Sequence, residues 1–302
     1  MQRSIRLRTL LLLTVWIMLI GTFSVQATEL VFVAKHVVTP RGSSIRGLDL
    51  SPDESVLYVC GMNEKSMIKL DLSSGRMLKT SLADLGTNVA PKAVSVDAHG
   101  KVWVPLTAPI LAVYSADLEL ETLYDMTPFG MTNIEGAFVS PNGDIYVTNR
   151  DNIKPGIFKF RLVDGQLQPV TSFGADGYVA ISELRMPVSI PNGDLIMTSW
   201  VAGQISRVEA QTGEASLYIQ GNRTFWVAAD TNGYVWVAHY ELQDPGITLY
   251  NPDGSLNRTW TLADLGIVSE ASSVAVTRDG HRLYILDQRG TDGGTVLVFD
   301  VK

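Results

Sequence analysis

Gly136–Asn149 reads GAFVSPNGDIYVTN, and this stretch decides the fold. An apolar run, Gly136–Val139, meets Ser140-Pro141-Asn142-Gly143 and returns as Ile145-Tyr146-Val147. Short β-branched and aromatic runs on either side of Asn-Gly are the signal for strand, turn and strand. Such a pair suggests a two-residue hairpin, which needs positive φ at both central residues.

The design recurs five times more along the chain, as GLDLSPDESVLYV from Gly47, AVSVDAHGKVWV from Ala93, PVSIPNGDLIM from Pro187, VAADTNGYVWV from Val227 and SVAVTRDGHRLYIL from Ser273. The residues leading into the six first runs are Arg46, Lys92, Glu135, Arg185, Phe225 and Ser272. Seven positions after each stand Asp53, His99, Asn142, Asn192, Asn232 and Asp279, and a glycine follows in five of the six. The first unit carries Asp53-Glu54 instead and is expected to turn differently.

A third strand follows each hairpin, for example Met67–Leu72, Ile110–Ser115 and Thr295–Asp300, and a fourth closes most units. The units are spaced by 46, 43, 50, 40 and 47 residues. Four strands in a period of forty-odd residues is the signature of propeller blades. Only three strands fit between Ser272 and Lys302, while Glu29–Val38 is a lone strand at the other end. Pairing those two segments would close the ring and hide two sheet edges. The sequence therefore predicts an all-β, six-bladed β-propeller with four antiparallel strands per blade, closed by the N-terminal strand. That strand is expected to bury Leu30, Phe32 and Val37, or their alternates.

Tyr146-Val147-Thr148-Asn149 is a literal YVTN signature, and Ser51–Val59 followed by Lys69–Gly75 looks like the same repeat. The chain thus resembles extracytoplasmic YVTN, NHL and gluconolactonase-type propellers. The resemblance implies the fold and leaves the function open, because lactonases, lyases, sensors and binding scaffolds all use it.

Arg3, Arg6 and Arg8 precede the fifteen-residue apolar run Thr9–Phe23, and Val25-Gln26-Ala27 has small residues at the positions a signal peptidase reads. This is the layout of a cleavable export signal, and the run falls short of the roughly 20 residues that span a bilayer. Residues 1–27 are therefore expected to be a signal peptide and 28–302 one propeller domain, periplasmic or secreted, with no membrane span after cleavage. The formal charge of −7 becomes −10 once the three leader arginines are removed. An acidic body without a basic cluster argues against a nucleic-acid partner. Cys60 is the single cysteine, so no intramolecular disulfide can form, and its place in Leu57-Tyr58-Val59-Cys60 suggests a buried thiol.

In such blades the first strand starts and the second ends at one face, where ligands sit in the resembling families. Arg46, Lys92 and Arg185 are expected to converge there, with Trp200 and Tyr240 lining the pocket. Arginine suits a bidentate grip on carboxylate or phosphate, so the partner is expected to be a small anion or a peptide segment. The alternative is that Arg46 and Arg185 form rim salt bridges with Glu135, Glu183 or Asp287. Glu135, Asn149, His239 and Asp287 occupy equivalent positions, and the surroundings of Glu135 are similar to the segment that supplies a metal-binding glutamate in gluconolactonase and regucalcin. That similarity implies calcium or another divalent cation and a metal-dependent hydrolase or lyase acting on a lactone or similar ring. No residue can be named as catalytic from the sequence. The long link Phe173–Arg185 is expected to fold over this face.

Overall fold

The computed structural model describes residues 28–86, 88–200, 202–221, 224–239 and 246–302. Residues 1–27, expected to be a signal peptide, and Tyr240, expected to line the pocket, lie outside them.

Among the described residues the strands form six antiparallel sheets. Blade 1 runs from Ile45 to Ser81, blade 2 from Ser95 to Asp125 and blade 3 from Ile134 to Pro169. Blade 4 spans Leu184–Gln220 and blade 5 Thr224–Trp260. Blade 6 combines Ala271–Val276, Arg282–Gly290 and Gly293–Val301 with the N-terminal strand Leu30–Val37. Leu30 pairs with Val301 and Val37 with Thr295, so the ring closes as the sequence predicts.

The closing strand buries less than expected. Phe32 is 56% exposed and Val37 38%, while Leu30 and Ala34 pack against the neighbouring cores. A register shift between Phe32 and Ala34 turns the apolar side chains away from strict alternation. The joint is therefore held chiefly by its backbone ladder. Arg278, in the hairpin turn of blade 6, adds a second tie: its N–H donates to Glu54 of blade 1 and its carbonyl accepts from Thr231 of blade 5.

The hairpins are not of the two-residue kind. Gly143 donates its N–H to the Ser140 carbonyl, Ser140 donates to Asp144, and of the turn residues only Gly143 has positive φ, at +85°. This is a type I turn followed by one left-handed residue. Pro141 and Pro191 lie inside two such turns, and proline's fixed negative φ rules out the other type there. The first unit turns differently, as expected: the Ser51 N–H reaches the Val56 carbonyl, one residue further on than in blade 3, with Glu54 left-handed at φ 59°. A left-handed non-glycine residue costs roughly 1–2 kcal/mol.

Tyr58, Trp103, Tyr146, Trp236 and Tyr284 are all buried between blades. The Tyr58 hydroxyl donates to the Ala116 carbonyl in blade 2, and Tyr146 makes the matching bond from blade 3 to Ala210 in blade 4. Cys60 is fully buried, and its sulfur accepts the Gly47 N–H at 3.1 Å. Burial pushes its thiol up to about 11. In the long link, Tyr178–Ala180 does not form the expected cover over the face. It pairs as an extra strand along Gly156–Phe158, and Glu183 at its end reaches the channel mouth.

Candidate functional site

Each first strand enters its blade through a residue that does not sit in the regular ladder. The register between first and second strands shifts at Arg46, Glu135, Arg185–Met186, Phe225 and Ser272. In blade 2 Lys92 precedes a first strand reduced to Ser95–Val96. A bulge re-aims a side chain that pleating would otherwise direct at a neighbouring sheet. Repeated around the ring, these bulges gather the charged residues at one mouth of the channel.

Glu135 is their centre. Its Oε2 receives Arg185 at 2.6 Å and Arg46 at 3.0 Å; its Oε1 receives Lys92 at 3.2 Å, with Arg150 at 3.8 Å. Arg150 also pairs with Glu183 at 3.2 Å. Burial works to raise the Glu135 carboxyl, but the four cations together outweigh it and hold it down to about 2. Burial lowers Lys92, and brings Arg185 down to about 10 against the pull of Glu135.

Aromatic rings alternate with the guanidinium groups. Arg46 and Arg185 lie 5.8 and 4.9 Å from the Phe225 ring centre, and Arg185 and Arg150 lie 5.4 and 6.0 Å from that of Trp200. Cations held over ring faces are stabilised and fixed in orientation. Beside this ladder opens a cavity of about 350 Å³ whose lining includes Arg46, Arg150, Arg185, Arg289, Trp200 and Gln288. Among the described residues, five cations, counting Lys92, meet the two carboxylates Glu135 and Glu183. Within this buried group, Arg185 Nε and Gln288 Oε1 have no hydrogen-bond partner.

The expected binding residues Arg46, Lys92, Arg185 and Trp200 therefore come together, and the rim salt bridges of the alternative form as well, around Glu135. Arg150, Arg289 and Gln288 belong to the same site: Arg150 follows directly on the end of a second strand, and Gln288 and Arg289 lie at the end of another, but nothing in their local pattern marks them.

The four residues expected to bind a metal do not converge on a common point. Asn149 accepts from the Asn133 N–H and donates to Asp151 and the Lys154 carbonyl. His239 Nε2 lies 3.0 Å from the Thr248 hydroxyl, and Asp287 accepts from the Val268 and Ser269 backbone and the Ser269 hydroxyl. Among the described residues no group of three or more His, Cys, Asp or Glu is arranged to hold a metal ion. Calcium prefers six to eight oxygen ligands, whereas Glu135 is ringed by positive charge. As a donor set these residues do not fit a divalent cation.

A ring of six four-stranded blades around a channel with a charged mouth defines the six-bladed β-propeller class. The fold is that of gluconolactonase- and regucalcin-type propellers. It is similar to a calcium-binding regucalcin from Agrobacterium tumefaciens, at TM-score 0.63 and 17% identity over 90% of this chain and 95% of that one. A candidate gluconolactonase matches at TM-score 0.66 and 12% identity, over 90% and 94% of the two chains. A streptogramin B lyase matches at 0.61 and 15%, over 90% and 97%. At these identities the likeness is one of fold. No family profile and no curated protein sequence matches the chain.

Proposed function

We propose that the protein is an exported binding propeller that holds a small anion, of carboxylate or phosphate type, at the channel mouth. The observation that carries this reading is the excess of cations over carboxylates around an open cavity at the mouth, with Arg185 Nε lacking a hydrogen-bond partner among the described residues. Each guanidinium has five N–H donors, and Glu135 uses few of them. An anion beside Arg46, Arg150 and Arg289 would relieve the repulsion among them, while Trp200 and Phe225 would take an apolar part. Gln288 Oε1 would accept an N–H or O–H from the same ligand. A cavity of about 350 Å³ suits a small molecule or one peptide carboxylate, near the lower end of the usual range for ligand sites. Titration calorimetry with a panel of small carboxylates and phosphate esters tests the idea. The Arg46→Ala, Arg289→Ala variant should lose binding while keeping its fold, and undiminished binding in that variant would overturn the reading.

A second reading, a hydrolase or lyase acting on a lactone or similar ring, draws its support from the gluconolactonase- and lyase-like fold. In its metal-dependent form it has the cation shell of Glu135 against it. Lactone turnover assayed beside elemental analysis, before and after chelator, separates the two. A metal-bearing, chelator-sensitive protein that opens a lactone would displace the anion-binding reading.

A further inference from the structure

The channel has a second cavity, of about 590 Å³, at the end bearing the hairpin turns. Trp226 belongs to its lining. Its indole reaches from blade 5 to Gly47 in blade 1, while its neighbour Phe225 lines the first cavity. The wall is largely apolar: Leu48, Val94, Phe138, Val188, Trp226 and Val274.

One carboxylate interrupts that wall. Three positions beyond the mouth residue the blades carry Ser95, Phe138, Val188, Ala228 and Ala275, but blade 1 carries Asp49. Its oxygens accept the Leu50 N–H at 2.8 Å and the Val96 N–H at 2.7 Å. Among the described residues no cationic side chain is in salt-bridge contact with it. The other acids on this cavity serve their turns: Asp97 takes the Trp103 Nε1–H and two turn N–H groups, Asp230 takes those of Asn232 and Tyr234, and Glu54 takes that of Arg278. Arg278 is the one base in a lining that also holds four acids.

We propose that this cavity is a binding site for a small apolar ammonium ion, its charge against Asp49 and its hydrocarbon body on the channel wall. Each carboxylate oxygen already holds one backbone donor and retains capacity for another. Burial pushes the Asp49 carboxyl up to about 7, a penalty that a cation would offset. Trp226 and Phe138 line the same space, and aromatic rings suit an ammonium ion. With the other three acids of the lining engaged by N–H groups, Asp49 alone offers too few oxygens for a hard metal ion. The site does not depend on what the mouth binds.

The test is titration of the full chain with benzylammonium, followed by calorimetry and tryptophan fluorescence, against benzyl alcohol as the neutral isostere. Saturable one-to-one binding of the amine is expected, about ten-fold or more tighter than the alcohol. Asp49→Asn should remove that preference, and Arg46→Ala should leave it unchanged. Absence of saturable binding, or equal affinity for amine and alcohol in the unaltered protein, would overturn the proposal without recourse to any variant. Full amine affinity in a natively folded Asp49→Asn protein would also overturn it.

Discussion

A Cβ atom on Gly47 would lie 3.0 Å from Cη2 of Trp226 and 3.1 Å from the Ala93 backbone, so the glycine of blade 1 makes the space that an indole from blade 5 fills. Gly136 stands in the same relation to blade 4, where an added Cβ would lie 2.8 Å from the Met186 backbone. Small residues on blades 1 to 3 face Met186 and Trp226 on blades 4 and 5 at one level of the ring. At this level Trp226 lines the cavity at the hairpin end, while its neighbour Phe225 lines the one at the mouth.

Replacing Trp226 by alanine should therefore do more than empty a core site. Trp226 is 3% exposed, and loss of a buried tryptophan side chain costs about 3–5 kcal/mol. Gly47→Val should cost about 1–3 kcal/mol by overpacking the same contact. Urea unfolding checks both. If the two changes combined cost no less than the sum of the single costs, the contact between them is not what sets the cost.

Glu135→Gln should be among the most damaging single changes at the mouth, about 3–5 kcal/mol, because it leaves buried cations without their shared carboxylate. Inorganic phosphate should return part of that loss in the variant if an anion can take the carboxylate's place. The pH dependence follows from the depressed value of Glu135. Its ionised form stabilises the fold fully above its ordinary 4.5, and that contribution disappears as the pH falls through about 2. Thermal melts of both proteins from pH 6 downward should converge in acid, to within other effects of the substitution.

Much of the architecture is legible in the sequence because the propeller repeats its punctuation. Glycines at a fixed offset and a buried aromatic in the second strand, each in five of the six blades, mark the repeat before any contact is known. Less can be read of the details that depend on neighbours in space. The hairpin type was open to a stricter reading, since Pro141 and Pro191 cannot adopt positive φ. Glu54 in place of the glycine marks a different turn in the sequence, but its contact with the Arg278 N–H, 224 residues away, has no local signal. At the site, strand starts identified Arg46, Lys92, Glu135 and Arg185, but equivalence of position misled for Asn149, His239 and Asp287. Asn149 and Asp287 are engaged by loop groups, and His239 by Thr248 of the adjacent strand, partners that only the folded chain brings to them.

Asp49 should tilt stability with pH in the opposite sense from Glu135. Its folded value of about 7 lies above the ordinary 3.8, so the fold favours the protonated form. That contribution is complete below about pH 3.8 and is lost as the pH rises through about 7. A ten-fold preference for one protonation state is worth about 1.4 kcal/mol. Asp49→Asn should flatten the difference in unfolding free energy between pH 4 and pH 7.5, while costing about 1 kcal/mol throughout for one forfeited backbone bond. A wild-type minus variant curve that is level across this range would show that Asp49 is ionised in the fold as it is in water.

The ring joint makes the last prediction, and its energetic source is the point at issue. Leu30–Val37 forms a ladder with Thr295–Val301, yet Phe32 is 56% exposed and only Leu30 and Ala34 enter the cores. Backbone bonds contribute about 0.5–1.5 kcal/mol each net, so the seven paired positions outweigh the little apolar area the strand buries. Phe32→Ala should then cost no more than about 1 kcal/mol, chiefly its edge contact with Phe299 at 5.8 Å. Deleting residues 28–38 should instead expose the unpaired Gly293–Val301 edge, and unpaired edges recruit other chains. Light scattering after size exclusion should find the truncated protein oligomeric or aggregated, and the Phe32→Ala protein monodisperse with near-normal urea unfolding. A Phe32→Ala protein as unstable as the truncation would place the joint's strength in side-chain burial after all.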